Sequence, residues 1–92
     1  MPRVYKYDLP STFNEPFELR LPDTAILLHV AEQRGALRLW ARVNPDGPQR
    51  AWRFVWVPTG GDVPAFAAPV GTVLLMGGAL VYHLFLLDEE RQ

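Results

Sequence analysis

The chain has 92 residues, 49% of them apolar, with three Trp, three Tyr, five Phe, no Cys and a net charge of −1. This content excludes a disordered polar segment, disulfide or thiolate chemistry, and whole-molecule attraction to nucleic acid or an anionic membrane. One domain, residues 1–92, is expected, burying roughly 60–68% of the surface its unfolded form exposes.

Arg3 and Lys6 near the N-terminus are followed by no apolar run, so no signal peptide is read. No apolar stretch approaches the roughly 20 residues of a membrane span, and the expectation is a soluble, intracellular protein. Arg3, Tyr5, Tyr7 and Leu9 alternate with Val4, Lys6 and Asp8, which reads as an edge strand ended by Pro10. After a turn over 11–16, Phe17, Leu19 and Leu21 alternate with Glu18 and Arg20. That is a short half-buried strand, stopped by Pro22-Asp23.

Residues 25–57 organise the chain. They read as two tight hairpins sharing a middle strand, Leu37 to Val43. A two-residue turn at Arg34-Gly35 sets residue 33 opposite 36, and the loop 44–49 sets Val43 opposite Arg50. Both registers place Ile26, Leu28, Val30, Leu37, Leu39, Ala41, Val43, Trp52, Phe54 and Trp56 on one face. His29, Arg38, Trp40, Arg42 and Arg53 fall on the other, with Leu27, Ala31, Ala51 and Val55. A slip of one residue would carry arginines among the leucines, so the pattern specifies its register.

Residues 58–69 form a long loop in which Phe66 either folds back onto the core, the expected arrangement, or anchors a partner. The closing segments, Val70 to Met76 and Ala79 to Leu87, make a hairpin around Gly77-Gly78 with residue 76 opposite 79. Both its faces are apolar, which calls for a second layer or an oligomer. The sum is an all-β domain of about seven strands, a small antiparallel barrel or a two-layer sandwich.

Catalytic signatures are missing. The two histidines, His29 and His83, have no Cys beside them and read as structural, and the carboxylates sit at strand ends and in turns. Ser11 lies in a Pro-flanked turn, and Thr59-Gly60-Gly61-Asp62 lacks the Lys and following helix of a phosphate loop. No catalytic residue, metal site or cofactor is expected, and the chain is read as a non-enzyme.

One constellation stands out: Arg38, Trp40, Arg42 and Arg53, with His29 beside them. Five Arg fall between positions 34 and 53, opposed only by Asp46, and eight of the nine basic residues are Arg. A flat aromatic ringed by guanidinium groups suits an anion with a planar part, such as a nucleotide or single-stranded nucleic acid, or an acidic protein surface. The plain alternative is a solvated sheet face whose Trp is covered by the stems of its neighbours.

Tyr5-Lys6-Tyr7-Asp8-Leu9, Ile26-Leu27-Leu28-His29-Val30, Leu37-Arg38-Leu39-Trp40-Ala41, Pro58-Thr59-Gly60 and Gly77-Gly78-Ala79-Leu80-Val81-Tyr82-His83-Leu84-Phe85 together resemble a family of small proteins of unknown function in tailed bacteriophages and prophages. The resemblance covers nearly the whole chain. It implies a His after the Thr-Gly of the long loop, where this chain has Gly61 and Asp62, so no role of that His carries over. It implies no activity, only a setting: a phage-borne accessory protein in the cytoplasm of a bacterial host.

The function expected from these readings is binding, with His29, Arg38, Trp40, Arg42, Arg53 and Phe66 as the partner-binding residues. The partner is a host protein complex, occluded in the manner of an anti-CRISPR protein, or an anionic nucleotide that is sequestered. The second reading is a minor virion or assembly component that forms a homo-oligomer through Val70–Leu87. Neither reading involves a membrane.

Overall fold

A computed structural model describes residues 1–87. Seven strands follow one another: β1 (Arg3–Leu9), β2 (Phe17–Pro22), β3 (Ile26–Gln33), β4 (Ala36–Val43), β5 (Gln49–Pro58), β6 (Ala68–Leu75) and β7 (Leu80–Leu86). They form two antiparallel sheets, one of three strands in the order β1-β4-β3 and one of four in the order β2-β5-β7-β6. The architecture is a two-layer sandwich rather than a closed barrel. Stacking the sheets covers the apolar face that each strand's alternation creates.

The first hairpin forms as its turn dictates. Arg34 and Gly35 both take positive φ, 54° and 82°, the pair of values that matches the twist of the flanking strands. Gln33 then faces Ala36, and the register runs unbroken to His29 opposite Trp40. Beyond it a bulge at Leu28 shifts the pairing, so that Leu27 lies opposite Ala41 and Ile26 opposite Arg42. This corrects the expected inner face of β3. Ala25, Leu27 and Val30 pack into the core, while Ile26 and Leu28 are about half exposed.

The second hairpin does not form. β4 pairs with β1, Val43 lying opposite Arg3, and β5 crosses to the other sheet to lie between β2 and β7. The loop 44–49 is therefore an arch between layers, tied down where Asp23 N–H donates to the Pro48 carbonyl at 2.8 Å. Arg50 Nε contacts Asp23 Oδ1 at 2.8 Å, and its guanidinium lies over the Trp52 ring. The inward set survives this change: Leu37, Leu39, Ala41 and Val43 of β4 join Trp52, Phe54 and Trp56 of β5 in one buried cluster. They meet across the two sheets rather than side by side within one.

The closing hairpin keeps its expected register, with Leu75 opposite Leu80 and Thr72 opposite His83, until a bulge at Val70. Its turn residues Met76, Gly77 and Gly78 all have positive φ, and Ala79 N–H donates to the Met76 carbonyl. The inner face of β6 and β7 supplies Val73, Leu84 and Leu86 to the core. On the outer face a second cluster gathers Val55, Val57 and Leu87 with Ala67 and Phe85. The loop 59–67 packs on this side, with Gly61 so close that a Cβ there would lie 2.8 Å from Val57 Cγ1. Ala67 N–H donates to the Pro64 carbonyl, closing a turn at Ala65-Phe66. Phe66, expected either to fold back onto the core or to anchor a partner, is 42% exposed in this turn.

Candidate functional site

The outer face of the three-stranded sheet is built in rows across β1, β4 and β3. Asp8, Arg38 and Ala31 make one row; Lys6, Trp40 and His29 the next; Val4, Arg42 and Ile26 the third. β4 is central, so its outward residues have neighbours on both sides. Leu39 is fully buried beneath them, which fixes Arg38 and Trp40 outward by the period of two.

Trp40 is half-buried between its neighbours, its ring centroid 6.1 Å from that of His29 at an interplanar angle of 36°. Lys6 Nζ donates to Gln33 Oε1 at 3.1 Å, laying the lysine stem back over the sheet. Arg38 pairs with Asp8. Its side chain is largely covered, and its Nε makes no hydrogen bond among the described residues. Arg38 thus ties β4 to β1 and has one acid neutralising it. Arg42 is exposed, with Val4 and Ile26 on either side and no acidic partner among the described residues. Beyond Arg42 the face ends in an open depression lined by Pro2, Thr24, Ile26 and Asn44.

The expected constellation is therefore only partly assembled. His29, Arg38, Trp40 and Arg42 come together. Arg53 does not join them, because β5 lies in the other layer and Arg53 stands opposite Glu18 on that sheet's outer face. Phe66, in the loop over that same sheet, is likewise remote from Trp40. Two residues that sequence reasoning left out, Lys6 and Val4, flank Trp40 and Arg42 instead. The signal was present in the alternation of β1; its partner strand was not.

His83 has a structural place. Its Nε2 lies 2.8 Å from Thr59 Oγ1 and its Nδ1 2.8 Å from Thr72 Oγ1, so the imidazole links the start of the long loop to β6. Among the described residues no three His, Asp or Glu side chains gather as metal ligands would.

Over residues 1–92 the chain matches the family described as Domain of unknown function (DUF7352). The chain belongs to that family. Comparison with curated proteins and with solved structures finds no match. Membership in DUF7352 accords with a family of small proteins of unknown function and carries no activity with it.

Proposed function

We propose that this member of DUF7352 is a non-enzymatic binding protein that recognises an acidic protein surface through the outer face of β1, β4 and β3. The observation that carries the reading is Trp40. It stands outward on the central strand, between Lys6 and His29, one row from Arg42, which has no acidic partner among the described residues. Trp and Arg are the side chains that concentrate binding energy at protein interfaces, and the exposed apolar residues Val4 and Ile26 on either side of Arg42 are what such a patch needs to exclude water. The depression that Arg42 lines is open to solvent rather than enclosing, which favours a protein over a nucleotide, since small ligands are held in sites that bury most of their surface. In the phage setting that the sequence resemblance implies, the partner is a host defence complex in the bacterial cytoplasm, occluded when this face binds.

The test is a pulldown from bacterial lysate with three proteins: wild type, the double variant Trp40→Ala with Arg42→Ala, and Arg53→Ala. A partner retained by wild type and Arg53→Ala but lost by the double variant supports the reading, provided circular dichroism shows all three folded. A partner retained equally by all three removes it.

A second reading has an observation of its own. Leu74, Met76 and Leu80 are 61%, 78% and 42% exposed at the tip of the closing hairpin, an apolar patch suited to self-association. Light scattering on wild type and Met76→Lys decides it, since a monomer in both leaves the patch without that role.

A further inference from the structure

Each sheet of a sandwich has two edges, and an uncovered edge is a row of unsatisfied N–H and C=O groups. Three of the four edges here are blunted. β3 carries the bulge at Leu28 and packs against β6; β6 carries its own bulge at Val70 and begins with Ala68-Pro69. β2 is six residues long and includes Pro22, which has no N–H to offer. β1 is different. Its seven residues pair with β4 without a break from Arg3–Val43 to Leu9–Leu37, no proline interrupts it, and Arg3 to Lys6 are exposed. A lysine on an edge strand commonly guards it, but Lys6 is drawn back across the sheet to Gln33.

We infer that the edge of β1, unpaired among the described residues, accepts an extended segment of an acidic partner as an added antiparallel strand. This rests on the acidic-partner reading above and names the form the partner takes. The charge at the edge decides the occupant. Arg3 and Lys6 are positive, and the one acid in the strand, Asp8, is held by Arg38. A second copy of β1 paired about its centre would set Lys6 against Lys6, whereas an acidic residue there neutralises it. Alternation then sets the segment's pattern. Acidic side chains lie on the outer side, beside Lys6 in the row of Trp40 and beside Val4 in the row of Arg42. Apolar ones lie on the inner side against Tyr5 and Tyr7, where the sandwich is open.

The probe is a blocked peptide of about eight residues alternating Glu and Val, long enough to span a strand, with the Lys/Val peptide as its counterpart. The readout is amide hydrogen exchange of the full chain by NMR. The expected result is slowed exchange at alternate amides of β1, those turned away from β4, with the Lys/Val peptide bound at least about tenfold more weakly. Slowed exchange in β1 that persists in Trp40→Ala keeps the edge proposal even where that variant loses its lysate partner, so the two readings can fail separately. Signals that move at Trp40 and Arg42 while β1 amides exchange as before overturn the edge and leave the sheet face. Equal binding of both peptides, no binding of the Glu/Val peptide, or a dimer whose β1 amides are already slowed without peptide each overturn it.

Discussion

Gly71 of β6 lies directly against Val30 of β3: a Cβ built on Gly71 would sit 2.7 Å from Val30 Cγ2. Val30 is 2% exposed, so its methyl has little room to move. The contact stands beside both bulges, at Leu28 and Val70, where the two sheets approach along one side of the sandwich. Backbone conformation is no obstacle at Gly71, whose φ is outside the left-handed region. The constraint is packing alone. Gly71→Ala is therefore expected to cost about 1–3 kcal/mol, as overpacking of a filled core does. Val30→Ala alone opens a cavity and also destabilises. Combined, the two changes relieve one another, and the double variant is more stable than the sum of the single losses implies. Urea unfolding of the four proteins measures this, and strict additivity would show that Gly71 is free to take a side chain.

How much of this was legible in the sequence depends on what fixed each register. Arg34-Gly35 and Gly77-Gly78 are tight turns, and a tight turn determines which residues face each other. Both hairpins accordingly have the register their turns imply. The loop 44–49 is longer and permits either a hairpin or an arch. Alternation cannot separate the two, because Trp52, Phe54 and Trp56 point inward in both. Only the neighbours change, and with them the place of Arg53. The run Ala25 to Leu28 is apolar on both parities, so a bulge at Leu28 was invisible: either Ile26 and Leu28 or Ala25 and Leu27 satisfies the pattern. The outward Trp40 was readable because Leu37, Leu39, Ala41 and Val43 leave one choice.

Trp40 offers a direct optical check. Trp52 and Trp56 are 1% and 0% exposed, and Trp56 Nε1–H donates to the Pro10 carbonyl at 3.1 Å deep under the 10–16 loop. Iodide or acrylamide should quench a single component of the fluorescence, and Trp40→Phe should remove that component while leaving a blue-shifted, unquenched spectrum. Three equally quenched tryptophans would contradict the sandwich core. Because Trp40 is only half-buried, the same substitution should change stability by about 1 kcal/mol or less.

His83 ties the 59–67 loop to the sheet through two hydroxyls. A neutral imidazole donates from one nitrogen and accepts at the other, and a threonine hydroxyl can serve either role, so the bridge holds with either tautomer. Thr59→Val removes one hydroxyl without changing shape. The expected loss is about 0.5–1.5 kcal/mol, toward the low end because the site is exposed. Its local effect should be larger than its global one: faster proteolytic cleavage within 59–67, with the core strands unchanged. Equal cleavage in wild type and variant would show that the loop is held by Gly61 on Val57 and by Ala67 instead.

Tyr7 gives the fold a dependence on alkaline pH. It lies on the inner side of β1 opposite Leu39, half-buried, with the Tyr5 ring centroid 6.4 Å away. Burial, and secondarily Tyr5, push its phenol above the usual value of 10.0. In the unfolded chain Tyr7 loses its proton near that usual value, while in the folded chain it keeps it to higher pH. The folded state then binds more protons over that interval, so stability is full below about pH 10 and falls as pH rises through the folded value. Tyr7→Phe removes the titrating group and keeps the ring. Its urea midpoint should match wild type near neutrality and decline less steeply above about pH 10. Parallel declines in the two proteins would mean that Tyr7 ionises as readily folded as unfolded, and that the open side of the sandwich at β1 does not desolvate it.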